Sequence, residues 1–332
     1  MQVAINGLGR VGRQVLRQIQ QAPGLEIVAV NDLAEPAGIA QLIKHDSLHG
    51  RAAFTVGHGE DHLLLDGRRV PLFREEAPDR LPFGRLGAQV VLECTGRAAS
   101  RERASAHLRD GVRRVLIAAP VPGEATVLPG LSEDLLGPGG PVILSAACAT
   151  SHALGILLQV LDAAFGVTGG LATAVESLGN DQRILDLPHP DLRLARAAAM
   201  SMIPAPSGAA ACVTQALPAL AGLLEVQAIR VPTPDVSLAD LSVTLEREAT
   251  EASVLQAFDH AARGPLRGRL ELLDEQLVSV DLRGSSASCL LDPFLTRIMS
   301  PRFVKVFGWY DNEVAYAARL KDFCIRLKGE QP

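Results

Sequence analysis

Cys148 sits in Ser145-Ala-Ala-Cys-Ala-Thr-Ser-His152, between a run that reads as a strand, 141–144, and an apolar run that reads as a helix, 153–160. A cysteine at a helix N-terminus meets unpaired amide protons and the positive end of the helix dipole. Both stabilise the thiolate, the form that attacks a carbonyl carbon. His152 follows four residues later, so it and Cys148 can share a helical face. Helical side chains lean toward the N-terminus, however, so a histidine there reads first as a packed or hydrogen-bonded residue. A second constellation opens the chain: Asn6-Gly7-Leu8-Gly9-Arg10-Val11-Gly12. Gly-x-Gly-x-x-Gly between a strand and a helix is the chemistry of pyrophosphate binding. Gly7 permits the tight turn, Gly9 lets the backbone approach the ligand, and Gly12 permits close helix packing. Asp32 lies twenty residues after Gly12, where a carboxylate can accept bonds from an adenosine ribose. It would repel a 2′-phosphate and no arginine adjoins it in sequence, so NAD is favoured over NADP.

These residues need a scaffold, and the pattern around them supplies one. Residues 3–5 read as a strand, 13–21 as a helix and 26–32 as a second strand, completing a βαβ unit. Parallel strands are expected at 89–94 and 114–118, joined by a helix over 100–110. The loops after them, Thr95-Gly96-Arg97 and Ala119-Pro120, fall where ligands sit in such sheets. Alternation over 54–70 with Asp66-Gly67 predicts a hairpin. Beyond Cys148 the pattern changes. Strands are expected at 170–176, 229–231, 238–248 and 276–282, with a polar loop over 177–207 and a helix near 251–263. Clustered strands with few helices predict a mostly antiparallel second sheet. Residues 311–327 have helical spacing. The fold class is therefore α/β: a doubly wound Rossmann domain plus an α+β domain.

Bulk properties narrow the function. The chain of 332 residues has room for two domains. A net charge of −5 and a pI near 5.9 argue against nucleic-acid binding. No uncharged apolar run reaches the ~20 residues of a membrane helix, and the chain enters a strand at Gln2 rather than a signal peptide. Five scattered cysteines with no CxxC pair predict reduced thiols in the cytoplasm and no metal site.

Over essentially its whole length the chain resembles the glyceraldehyde-3-phosphate dehydrogenase family. The resemblance rests on the glycine motif at 6–12 and on Lys44-His-Asp-Ser-Leu-His-Gly50. It also rests on Gln182-Arg-Ile-Leu-Asp-Leu-Pro-His189, Arg230-Val-Pro-Thr-Pro234 and Trp309-Tyr-Asp-Asn-Glu313. It implies a dinucleotide domain of 1–147 and 312–332, a catalytic domain of 148–311, a small-molecule substrate and a homo-oligomer, a tetramer. Leu187 and Pro188 resemble the NAD-selective form of the family's S-loop. Thr95, Gly96, Ala118 and Asn312 take cofactor positions, Asn312 the one that orients the nicotinamide amide. Ser207, Gly208, Arg230 and Asp181 take substrate positions, with Arg230 as anion anchor.

The departures gather around the chemistry. Ala147 and Ala149 flank Cys148 where the family has hydroxyls, and Gly179 replaces a threonine. The family's catalytic histidine position holds Glu176. A carboxylate repels a thiolate where an imidazolium would attract it. Loss of three hydroxyls weakens phosphate binding. The expectation is an NAD-dependent oxidoreductase with altered catalysis, acting on a non-standard aldehyde or acyl substrate through a Cys148 adduct. Glu176 or His152 serves as its acid–base group. The alternative is an NAD-binding protein without aldehyde chemistry, acting on a dinucleotide or another ligand or serving regulation.

Overall fold

The computed structural model describes residues 1–96 and 100–328; Arg97, expected in a cofactor-side loop, lies outside them, as do 329–332. The chain divides into two compact units. One comprises Met1–Val127, Ser132–Cys148 and Tyr316–Pro332, the other Leu128–Leu131 and Ala149–Ala315.

The first unit is built on an eight-stranded sheet. Its parallel strands run, from one edge, Ile143–Ser145, Arg114–Ile117, Val90–Glu93, Gln2–Asn6, Glu26–Asn31 and Arg68–Phe73. The antiparallel strands His62–Leu65 and Val56–His58 finish the other edge. This is the doubly wound order: the strands stay parallel, and the order in which the chain adds them reverses between Gln2–Asn6 and Val90–Glu93. Val3, Ala4, Ile5, Val91 and Leu92 are fully buried, as parallel strands covered on both faces require. The expected hairpin turns at Asp66 and Gly67, both left-handed at φ 49° and 77°. The first helix starts at Arg10, three residues before the expected position, because Gly9 already serves as its N-cap. The helix expected over 100–110 is cut to Arg101–Ser105. His107 turns inward to reach Glu93 and stack on Phe83.

The second unit holds a sheet ordered Ile203–Ala205, Leu224–Arg230, Val167–Glu176, Ser237–Leu245, Phe303–Tyr310, Cys289–Leu291 and Leu270–Leu272. Arg297–Ser300 also pairs with Phe303–Tyr310. Five of its pairings are antiparallel and two parallel. The helix Ala149–Phe165 packs on this sheet, burying Leu154, Leu157, Leu158 and Leu161. One expected strand is absent: 276–282 forms a loop ending in a 3₁₀ turn, Ser279–Leu282. Asp281 Oδ2 accepts from Val278 N at 3.0 Å and closes the turn locally. The helix over Val314–Lys328 caps the chain. Arg326 Nη1 binds Glu133 Oε2 at 2.6 Å within the first unit.

Candidate active site

The glycine loop leaves Asn6 at the sheet's reversal point, and a cleft of about 320 Å³ opens there. Asn6, Gly7, Gly9, Asp32 and Thr95 line it, together with Leu33, Glu75 and Arg103. Gly7 adopts φ 93°, and a β-carbon on it would lie 2.7 Å from Thr95 N. A β-carbon on Gly12 would lie 2.0 Å from Gly7 O. One on Gly9 would meet no protein atom within 4 Å. Two glycines therefore close the turn and the third opens the backbone to the cleft, the division of labour a pyrophosphate site needs. Asp32 Oδ2 accepts from Leu8 N at 2.8 Å and Oδ1 from Ala34 N at 3.0 Å. Its carboxylate is thereby fixed at the rim. These features fit NAD.

Arg10, Val11, Gly12, Gly96 and Ala118 do not line this cleft. Gly12 packs behind the turn, Gly96 takes φ 66° in the loop after Val90–Glu93, and Ala118 N donates to Glu93 O at 2.8 Å. Sequence reasoning missed Arg103, which reaches the cleft from the short helix and donates to Glu76 O at 3.1 Å. It also missed Glu93. This carboxylate is buried and accepts from Asn6 Nδ2 at 2.5 Å, from Thr95 N at 2.9 Å and from the Thr95 hydroxyl. His107 Nε2 lies 3.3 Å away. Burial alone would raise the Glu93 pKa, but the bonds from His107, Thr95 and Asn6 outweigh it and hold the carboxyl below its usual range. Asn6, expected as a cofactor ligand, gives its amide to this network; Asn31 Nδ2 donates to its Oδ1 at 2.7 Å.

Cys148 is half-buried and directly precedes the helix Ala149–Phe165. Before it, Ala147 is fully buried with φ 54°, a left-handed conformation uncommon without glycine. Tyr316 Oη donates to Ala147 O at 3.0 Å, and Ser145 Oγ accepts from Ala147 N at 3.1 Å. None of the five cysteines forms a disulfide. Burial pushes the thiols of Cys94, Cys289 and Cys324 up, the last to about 12, which leaves them unreactive at neutral pH. His152 is buried in the helix at 1% exposure.

In the second unit Glu176 ends its strand directly opposite Arg230. Glu176 Oε1 accepts from the Thr150 hydroxyl at 2.9 Å, and Thr150 lies 2.9 Å from Tyr310 Oη. Because Thr150 gives its one proton to Glu176, the Tyr310 hydroxyl must donate to Thr150. Arg230 Nε is 3.8 Å from Glu176 Oε2, and Arg230 Nη1 binds both oxygens of Asp181 at 2.6 and 2.7 Å. The structure thus joins Glu176, Arg230 and Asp181 in one cluster. Ser207 Oγ accepts from Ala209 N at 3.3 Å, and Gly208 is the N-cap of the helix Ala209–Ala216. Asn312 Oδ1 accepts from Ser177 Oγ at 2.9 Å and Ser237 Oγ at 3.2 Å. Its Nδ2 is left as the donor toward any ligand.

A doubly wound sheet with a glycine turn, a rim carboxylate and a separate α+β unit defines the class of NAD-binding dehydrogenases. Residues 1–101 match the family model described as glyceraldehyde 3-phosphate dehydrogenase, NAD binding domain. Residues 147–312 match its C-terminal domain. The chain is 43% identical over 331 residues to glyceraldehyde-3-phosphate dehydrogenase of Geobacillus stearothermophilus, covering 99% of each chain. It is 42% identical over 328 residues to that of Streptomyces coelicolor, covering 98% of each. Against glyceraldehyde-3-phosphate dehydrogenase 1 of Bacillus subtilis the identity is 41% over 332 residues, covering 99% of each. This chain belongs to the glyceraldehyde-3-phosphate dehydrogenase family.

Proposed function

We propose that the protein is an NAD-dependent oxidoreductase that oxidises a non-standard aldehyde through a covalent adduct on Cys148, with Glu176 as the acid–base group. The observation that carries this reading is the Thr150 bond. Thr150 stands two residues after Cys148 in the chain, and its hydroxyl holds Glu176 Oε1 at 2.9 Å. In this reading the Cys148 thiolate adds to the carbonyl carbon, the alkoxide formed takes a proton from solvent, and the resulting hydroxyl gives that proton to Glu176 as the hydride leaves. NAD, when bound, supplies the acceptor for the hydride leaving that carbon. The thioester left on Cys148 is cleaved by water, which Glu176 deprotonates after passing on its first proton, releasing the acid and restoring the thiolate. Residues 1–147 and 312–332 would hold the dinucleotide, and Asn312, whose Oδ1 is taken by Ser177 and Ser237, would offer its Nδ2 to the nicotinamide amide. Residues 148–311 hold the substrate, with Arg230, Asp181, Ser207 and Gly208 at the end remote from the carbonyl.

A homo-oligomer, a tetramer, is part of the same proposal. Ile184, Leu185 and Leu192 are 83%, 72% and 82% exposed on one loop, apolar surface that a second copy would cover. Light scattering on the purified protein measures this directly.

The chemistry is tested by intact-mass spectrometry of the protein with NAD and a panel of aldehydes. An acyl mass on Cys148 is expected, absent in Cys148→Ala, which loses turnover. Glu176→Gln slows turnover by about 10²–10⁴-fold, the usual worth of acid–base help. Undiminished turnover in Cys148→Ala would overturn the covalent route.

A further inference from the structure

Glu93 and His107 are both buried, and the aldehyde chemistry uses neither. Glu93 closes the strand Val90–Glu93, and Asn6 closes its parallel neighbour Gln2–Asn6. Chain order reverses between these two strands, so the loops that leave them diverge and the cleft opens there. The Glu93 carboxylate spans that divergence. Its Oε1 accepts from Thr95 N at 2.9 Å and from the Thr95 hydroxyl, and its Oε2 from Asn6 Nδ2 at 2.5 Å. His107 Nε2, 3.3 Å from Oε2, completes the set. A carboxylate has about four lone-pair sites, so these donors fill it. Its depressed pKa keeps it ionised, and an ionised carboxylate only accepts, so Nε2 carries the imidazole proton. His107 Nδ1 is buried with no hydrogen-bond partner among the described residues, which leaves Glu93 as the polar group the ring serves.

The imidazole is held in place. It stacks on Phe83, with ring centroids 5.7 Å apart and planes 15° apart. The chain just after it is clamped: Arg109 Nη2 donates to Leu81 O at 2.7 Å, and a β-carbon on Gly84 would lie 2.4 Å from Arg109 O. We propose that His107 is a positioning residue for the dinucleotide: acting through Glu93, it fixes Asn6 and Thr95 at the separation that admits a pyrophosphate. Asn6 and Thr95 line the cleft; His107 does not. Without the Nε2 donor, Glu93 Oε2 keeps a buried, partly unsatisfied charge, and the carboxylate must turn or draw in water. Asn6 and Thr95 then move with it. A β-carbon on Gly7 would already lie 2.7 Å from Thr95 N, so a small shift of Thr95 reaches the glycine turn. This role concerns the dinucleotide alone and is independent of the aldehyde chemistry proposed above.

Calorimetric titration of the full-length protein with ADP-ribose and with adenosine separates positioning from general damage, because only ADP-ribose carries a pyrophosphate. His107→Leu is expected to weaken ADP-ribose, and NAD with it, at least tenfold, while adenosine affinity stays within about twofold. His107→Gln, whose side-chain amide can donate to Glu93 in place of Nε2, is expected to bring ADP-ribose back to within about threefold of wild type. Undiminished ADP-ribose binding in His107→Leu overturns the role. So does an equal loss of ADP-ribose and adenosine, or a glutamine variant that binds no better than the leucine one. If His107→Leu does not fold, NMR of the wild-type protein carrying nitrogen-15-labelled histidine decides instead. The His107 Nε2 resonance, identified by its loss in His107→Gln, is expected to shift with ADP-ribose and stay in place with adenosine; a resonance that ADP-ribose leaves unmoved overturns the role.

Discussion

Thr150 has one proton to give and gives it to Glu176, while the buried Tyr310 hydroxyl supplies the proton that Thr150 accepts. A hydrogen bond to a charged group contributes about 1.5–3 kcal/mol. Thr150→Val is therefore expected to lower kcat by roughly 10–100-fold, with Thr150→Ser keeping most of it, measured as steady-state NADH formation. Equal rates in the valine variant would show that Glu176 needs no such support. Glu176 does not stand as an isolated negative charge: Arg230 Nε lies 3.8 Å from its Oε2, and the Thr150 hydroxyl donates to its Oε1.

Among the elements, the glycine turn separates folding from binding. Gly12→Ala forces a β-carbon to within 2.0 Å of Gly7 O, so either the turn or the helix must shift. Gly9→Ala meets nothing within 4 Å. Thermal unfolding and NAD titration should therefore part company. Gly12→Ala lowers both Tm and NAD affinity, whereas Gly9→Ala keeps its Tm and weakens NAD by at least tenfold. A normal Tm for Gly12→Ala would refute the packing role. The strand Phe303–Tyr310 shows why elements escape sequence reading. Its buried face is Val304, Val306, Gly308 and Tyr310, and its open face carries Phe303, Phe307 and Trp309. Apolar residues on both faces erase the period-two signal. Gly308 looks like a strand breaker, yet a β-carbon there would lie 2.7 Å from Cys289 Sγ, so close packing demands it.

At the scale of the whole molecule, pH reaches the fold through Glu93. Its folded pKa is depressed, so its contribution is complete above the unfolded value, about 4.3, and is lost as pH falls through the folded value below that. Glu93→Gln should cost about 1.5–3 kcal/mol near neutrality, because it removes a buried carboxylate that accepts hydrogen bonds from Asn6 and Thr95. It should also flatten the decline in stability below pH ~4. Denaturant unfolding at several pH values checks both, and an unchanged acid limb would remove Glu93 from the account. NAD at about 100 times its Kd should add roughly 2.7 kcal/mol to that stability.

The sequence by itself determined the βαβ entry, the glycine turn, Asp32, the strand–helix setting of Cys148 and the family. Each of these is written in short-range pattern, where a few residues fix the backbone they adopt. It also located Glu176 and Gly179 as departures from the family pattern, beside a retained Arg230. Tertiary structure alone decided their meaning. Gly179 and Arg230 are far apart in sequence, and only the parallel pairing of two strands brings Asp181 onto the guanidinium. Arg103 and Asp32 come to one cleft only because the sheet folds the 70 residues of chain between them. Hydrogen bonds and ion pairs act over about 3 Å of space whatever the separation along the chain. That is why the turn was legible and the Asp181–Arg230 contact was not.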